Sequence, residues 1–369
     1  MKPMSRVLTG ALALAAGLTA FAGAADVKGL IKEIFPIPSS TGNEQFLAAK
    51  IAGLLPKPIL VSSDNLGCVY ANLGPAGAPI AFAAPLDEFG YIVSGFTPDG
   101  YLTLDRATAP PLPIYDSFLL GHPVVIMTKA NPVYGVVSQP AMHLLTRERR
   151  DQLAKDLTLD LIFVDLGVRS EAEARAKGIE ILDPVTFWPD LVTLAGDCWS
   201  GPGLGGKAAC AALAAAAREL AVDKTASARF AWLALSRFPV RGTKTSLGAA
   251  RAKNKLAAKA AIVLDVLPAD RGQNSPLLGK GVIVGQAKEA PSRVRDSVDA
   301  AAAERKIPLQ YRTGVESMLL ASFQADGGDA VLLALPVRYA GTPSEVVSLK
   351  DVQALADLIV AIAKDGRLK

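Results

Sequence analysis

The chain has 369 residues, enough for two ordinary domains or for one large domain carrying an insertion. Half of it is hydrophobic, 20% is charged, and 32 Gly and 25 Pro are spread along its length, which excludes a disordered chain and a collagen-like repeat. Lys and Arg number 39 against 35 Asp and Glu, and a net +4 without a basic block or an aromatic ladder excludes nucleic acid as a favoured partner.

The first 25 residues place Lys2 and Arg6 before an Ala/Leu-rich stretch that ends in small residues, the layout of a secretory signal cut after Ala24 or Ala25. An uncleaved anchor of about eighteen residues is the other reading, although alanine inserts weakly. After signal removal no segment is long and apolar enough to cross a membrane, so the mature protein is expected to be periplasmic or secreted. Cys68, Cys198 and Cys210 are an odd number for an oxidising compartment and lack zinc-ligand spacing, so they are read as small buried hydrophobes.

Beyond the signal, "VKGLIKEIF" and "NEQFLAAKIAGLL" have helical apolar spacing, with the turn "PIPSSTGNE" between them. The runs "PILVSSDNLGCVYANLG" and "APIAFAAP" read as strands, the second so continuously apolar that both faces should be covered. From residue 93 to 190 short alternating segments broken by Gly and Pro predict a small β-rich module. Strand and helix then alternate to the end, through "GKAACAALAAAAREL", "RFAWLALS", "KAAIVLDVLP", "PSRVRDSVDAAAAERK" and "DAVLLALP". A last helix runs from about Ser348, with Ser348 as its expected N-cap and Asp351 in its first turn. Residues 26–92 and 191–369 are therefore expected to form one α/β layer domain with a mostly parallel sheet, into which the β-rich module is inserted.

Several motifs fall in a familiar order and spacing: "PIPSSTGNE", "DNLGCVYA", "PLDEFGYIV", "YGVVSQPAMH", "LIFVDLGVRSEAEARAKGI", "VLDV" and "LPVRYAGTPSEVV". The set resembles the glutamyl and tetrahedral (TET) aminopeptidases, two-metal exopeptidases that include relatives labelled as endoglucanases. The resemblance implies a three-layer αβα aminopeptidase domain, phosphorylase/hydrolase-like, with an inserted β-barrel-like dimerisation domain and dimer-based homo-oligomers. In such enzymes paired divalent ions polarise the scissile carbonyl and acidify a bridging water. Carried over onto this chain, the metal-ligand positions are Pro85, Gly205, Arg237, Asp265 and Gly341, and the general-base position is Ser236. Of these ligand positions, Asp265 alone keeps a side chain that ligates metal.

Loss of most ligands and of the base predicts an exported, catalytically inactive homologue with no cofactor, which keeps a role in binding a peptide or small anionic ligand or in scaffolding. The alternative is an active metallo-aminopeptidase with a rebuilt or displaced site, using Zn or Co. A rebuilt site would draw on Asp87, Glu88, Asp265 and Glu316, an all-oxygen set better suited to Mg or Ca. His122 and His143 fall outside the metal set, and metal-free hydrolysis at Ser236 lacks a histidine partner. The residual cleft is expected to comprise Asp87, Glu88, Lys207, Arg237, Arg241, Asp265, Glu316, Arg338 and Tyr339. Within it, Arg237 is expected to supply positive charge to Asp87 and Asp265 through charge-assisted hydrogen bonds. Lys207, Arg237 and Arg241 together would make the cleft floor cationic.

Overall fold

The structure is a computed structural model that describes residues 26–368 apart from 75–79, 156, 224, 259, 270–274 and 287–290. The expected signal segment lies outside these residues. The strands in chain order are β1 (Leu60–Ser63), β2 (Val69–Leu73), β3 (Ile80–Pro85), β4 (Tyr91–Phe96), β5 (Leu102–Arg106), β6 (Pro123–Met127), β7 (Pro132–Ser138), β8 (Phe163–Asp165) and β9 (Pro184–Phe187). They continue as β10 (Val192–Thr193), β11 (Cys198–Gly201), β12 (Ala228–Leu233), β13 (Ala260–Pro268), β14 (Val282–Gln286), β15 (Leu309–Thr313), β16 (Asp329–Val337) and β17 (Glu345–Ser348).

Among the described residues the main sheet has eight strands in the order β1-β2-β12-β3-β13-β16-β14-β15. Its centre is parallel, β12 with β3, β3 with β13 and β13 with β16. Antiparallel pairings flank it, β1 with β2, β2 with β12, and β14 with β16. β15 pairs in parallel with β14, so the sheet is mostly parallel as expected, and the antiparallel entries arise because alternation of strand and helix does not specify which way a strand from a local hairpin enters the ladder. Every residue of β3 is buried, as its unbroken apolar run requires of a central parallel strand.

The helix Leu204–Leu220 packs against Val27–Ile34 and Leu349–Lys364, with Arg293–Arg305 beside the latter, while Leu247–Leu256 and Met318–Gln324 pack together on the sheet. The alanines from Ala208 to Ala217 are all buried, so the helix Leu204–Leu220 approaches its neighbours closely without large side chains to order. Strands β4 to β9 close a six-stranded barrel in the order β4-β5-β8-β7-β6-β9, with its own core around Tyr91, Leu102, Ile126 and Val164. No helix among the described residues is long and apolar enough to cross a membrane.

The last helix departs in detail from its expected start. Ser348 occupies the N-cap position but makes no capping bond; its hydroxyl donates instead to Asp197 Oδ2 at 2.8 Å. Asp351 faces inward and accepts the backbone N–H groups of Gly279 and Gly281 at 2.6 and 2.8 Å. The three cysteines are free: Cys68 and Cys210 are buried as expected, whereas Cys198 is partly exposed.

Candidate functional site

The carboxyl ends of the parallel strands are where α/β sheets place their ligands, and here the ladder opens at that end. Pairing of β3 with β13 stops at Ala83 and Val263, while β12 continues alongside to pair Leu233 with Pro85. The Leu86 N–H still reaches the Leu233 carbonyl at 2.9 Å. N–H directions alternate along a strand, so the position of Pro85 aims toward the side where β13 has already left. A proline there removes no ladder bond. Its carbonyl accepts from the buried Cys210 thiol at 2.9 Å.

Asp87 follows on the next turn and is buried. Its Oδ1 accepts from the Ser236 N–H at 3.2 Å and from the Ser236 hydroxyl, and its Oδ2 accepts from the Arg237 N–H at 2.8 Å and the Thr41 hydroxyl at 3.0 Å. Two successive amides form the nest for this carboxylate. The loop that presents them turns at Leu235, which has a φ of 51° and whose own N–H donates to Glu44 Oε1 at 2.9 Å. Such a conformation is uncommon for a leucine and persists because its surroundings fix it. Glu44 also accepts from the Gly42 N–H at 3.0 Å. Burial, followed by the nearby Asp87, pushes the Glu44 carboxyl up to about 7.

Glu88 is held by the Ser39 N–H at 2.9 Å and by Lys207 at 3.2 Å. The Lys207 ammonium also donates to the carbonyls of Phe35 and Ile37 at 3.0 and 2.8 Å, which uses all of its protons. Glu345 joins two of the carried-over ligand positions through their backbones. Its Oε2 accepts from the Gly205 N–H and its Oε1 from the Gly341 N–H, each at 2.9 Å. Burial raises its pKa against those two bonds.

Arg237 lies among these acids, but differently from the sequence-based expectation. Its Nε donates to the backbone carbonyl of Asp87 at 3.1 Å, and no guanidinium-carboxylate contact of Arg237 within 4.0 Å occurs among the described residues. Burial opposes its charge, yet Asp87, Asp265 and Glu345 together outweigh burial and raise its pKa. Asp265 is raised by burial and held down by Arg237, and its Oδ1 accepts its neighbour's N–H, that of Val266, at 2.9 Å. The arginine therefore acts across space on the acids rather than as a direct ion pair.

A cleft of about 270 Å³ opens above this floor, between the main domain and the barrel. Asp87, Glu88, Lys207, Arg237, Gly341 and Glu345 line it, together with Phe89, Pro111, Leu112, Tyr115, Phe187 and Val266. Of the expected cleft residues, Asp265 lies on β13 beside Val266 but is not itself in the lining, and neither are Arg241, Glu316, Arg338 and Tyr339. Arg241 is exposed, Glu316 forms an exposed ion pair with Lys244 at 3.7 Å, and Tyr339 stands on the surface. Arg338 bridges to Val346, and its Nε is buried without a hydrogen-bond partner. His122 and His143 are exposed. The cationic floor expected from Lys207, Arg237 and Arg241 thus reduces to Arg237, since Lys207 is paired with Glu88.

The residues present do not fit a two-metal centre. Pro85 offers no donor, and both Asp87 oxygens already have protein partners. A side chain at Gly205 would meet Val266 Cγ1 at 2.8 Å and Val337 Cγ2 at 2.9 Å, so the space an aspartate needs there is filled. Gly341 has a φ of +76°, with Pro111 against the place of a Cβ, so a histidine there would be strained as well as crowded. Among the described residues no three His, Cys, Asp or Glu side chains are grouped to hold a metal ion.

The sequence profile of the M42 glutamyl aminopeptidases matches residues 67–358. The chain belongs to that family. A lysyl aminopeptidase of Pyrococcus furiosus is 26% identical to this M42 chain over 347 residues, covering 91% of it and 96% of the relative. The fold matches a TET aminopeptidase from a marine-sediment thaumarchaeon with a TM-score of 0.80 at 22% identity, covering 92% of this chain and 96% of the other. The TET1 peptidase of Pyrococcus horikoshii, described as assembling into a tetrahedron or a large octahedral shell, matches with a TM-score of 0.79 at 23% identity over 92% and 99% of the two chains. An endoglucanase-labelled structure from Thermotoga maritima matches at 0.68 and 20% identity over 92% and 97%.

Sequence reasoning missed Glu345, Glu44 and Tyr115. Glu345 lies in "LPVRYAGTPSEVV", but its role depends on the fold bringing its carboxylate to the amides of Gly205 and Gly341. Tyr115 had no available signal, because a segment of the inserted module reaches the cleft only through tertiary packing.

Proposed function

We propose that this M42 protein is a non-catalytic member of its family, exported, and working by binding or scaffolding rather than by peptide hydrolysis. The observation that carries the reading is the closed Asp87 carboxylate: four protein donors occupy the oxygens beside which a metal pair would have to sit. Water or a neighbouring group can stand in for one lost ligand, because catalytic sites keep open positions. Here the donors are absent at four of the five carried-over positions, and the base position holds Ser236, whose hydroxyl donates to Asp87.

Export rests on Lys2 and Arg6 ahead of the Ala/Leu-rich stretch. A dimer-based assembly is supported by an apolar hollow on the barrel, lined by Pro123, Tyr134, Gly135, Val136, Asp165 and Trp188. The test is turnover of a panel of aminoacyl-anilides by the purified full chain, with zinc, cobalt or manganese supplied. No hydrolysis above the uncatalysed rate is expected with any metal. Metal-dependent turnover that survives repurification would overturn the proposal and restore a working aminopeptidase with a displaced centre.

A further inference from the structure

Two polar groups in the cleft lack protein partners. Among the described residues, the terminal guanidinium nitrogens of Arg237 make no hydrogen bond, although its Nε is tied to the Asp87 carbonyl. The Tyr115 hydroxyl likewise makes none, although the residue is only 6% exposed and lines the same cleft. Neither group is sealed inside the protein, so both open onto the cleft, where a ligand can complete their hydrogen bonds. Arg237 is placed by its own backbone, because its N–H belongs to the Asp87 nest.

The surroundings define what fits. Phe89 meets Tyr115 edge-on with ring centres 4.4 Å apart, and Tyr115 meets Phe187 edge-on at 5.9 Å. Leu112, Pro111 and Val266 complete apolar walls around a space of about 270 Å³, the size for one amino-acid residue rather than a long peptide. An ammonium group finds few acceptors here. Asp87 and Glu345 each have both oxygens bonded to protein N–H or O–H donors, and Glu88 is paired with Lys207. A carboxylate finds a planar fork and a phenol.

From this geometry we infer that the cleft is a binding site for a small carboxylate with an apolar body, such as an N-blocked apolar amino acid or the C-terminal residue of a peptide, gripped by Arg237 and Tyr115. The inference rests on the non-catalytic reading, since an enzyme with metals in this place would recognise a free amine there.

Calorimetric titration of the full chain tests it with N-acetyl-L-phenylalanine, its C-terminal amide, L-phenylalaninamide, and N-acetyl-alanyl-alanyl-phenylalanine. The free acid is expected to bind at least about tenfold more tightly than its amide, as loss of a charge-assisted bond requires. Binding of the longer peptide acid as well would identify a peptide end as the ligand, and its exclusion would identify a free acid. Tyr115→Phe is the informative variant, because its hydroxyl supports nothing in the protein; it is expected to fold normally and to weaken the acid about three- to tenfold. Arg237→Gln is expected to abolish the preference for acid over amide, with its melting temperature recorded alongside. Equal binding of acid and amide, tighter binding of L-phenylalaninamide through the open Glu88 oxygen, or no binding of either acid at millimolar concentration would overturn the inference. Absence of binding with no hydrolysis would leave the non-catalytic reading standing, whereas hydrolysis of the anilide panel would remove both.

Discussion

Asp87 is held on both of its oxygens by protein donors. A carboxylate that takes two amide and two hydroxyl donors is a structural anion, and the loop Leu235–Arg237 is folded around it. Replacing Asp87 by Asn leaves an NH2 group facing N–H donors and strands at least one of them in a buried place. We expect Asp87→Asn to lose about 2–4 kcal/mol in urea unfolding, without any change in hydrolytic activity. A loss within experimental error of zero would mean that the carboxylate is not what holds the loop. At this scale the sequence reading turns on side chains alone, since a proline, a glycine or an arginine offers no side-chain donor suited to a divalent metal. It was poor at what replaces the missing groups. The guanidinium of Arg237 is expected from sequence to pair directly with Asp87 and Asp265, but Asp87 takes two backbone N–H groups and the Ser236 and Thr41 hydroxyls instead, partners that only the folded loop brings to it. Glu345 is the clearest case, because its partners are the amides of Gly205 and Gly341, residues 140 and 4 positions away in sequence.

Buried carboxylates set how the elements respond to pH. Glu44 stands at the start of the helix Gln45–Leu54 and holds the Leu235 turn; Asp351, in the first turn of the last helix, holds the loop before β14. Burial raises both, Glu44 to about 7 and Asp351 to about 6. Between the ordinary carboxylate value and these raised values the folded protein keeps protons that the unfolded chain has released. The contribution of each is therefore complete at low pH and is lost as pH rises, through about 6 for Asp351 and about 7 for Glu44. Glu44→Gln keeps an acceptor but no longer titrates, so its urea midpoint should fall less than that of the native protein between about pH 5 and pH 7.5. Equal slopes for the two proteins would remove Glu44 from this role. Legibility at the element scale follows burial pattern: β3 was evident because both of its faces are covered, and the Ala-rich helix because its core packing needs small side chains. The Ser348 side chain does not cap its helix because a competing partner, Asp197, reaches it from a distant turn that the local sequence does not reveal.

The molecule as a whole is an α/β layer with a barrel set into it, and the change from helix-bearing alternation to short Gly- and Pro-broken segments marked that insertion in the sequence. The sequence did not disclose that the segment around Pro111, Leu112 and Tyr115 would return to roof the cleft, because this contact joins parts of the chain with no shared periodicity. On the barrel, Tyr134 and Trp188 are 53% and 40% exposed, with ring centres 4.7 Å apart, beside the half-exposed Val136. If this apolar hollow joins two copies, Tyr134→Asp combined with Trp188→Asp should convert the protein to a monomer by light scattering while leaving its unfolding transition nearly unchanged. An unaltered assembly would place the interface elsewhere.

Diffraction from crystals soaked in zinc, recorded at the zinc absorption edge, tests the central claim most directly. With both Asp87 oxygens occupied and Gly205 packed against Val266 and Val337, no anomalous peaks are expected between Asp87, Arg237 and Asp265. Two ordered peaks there, about 3.5–4 Å apart as a two-metal hydrolytic centre requires, would contradict the account.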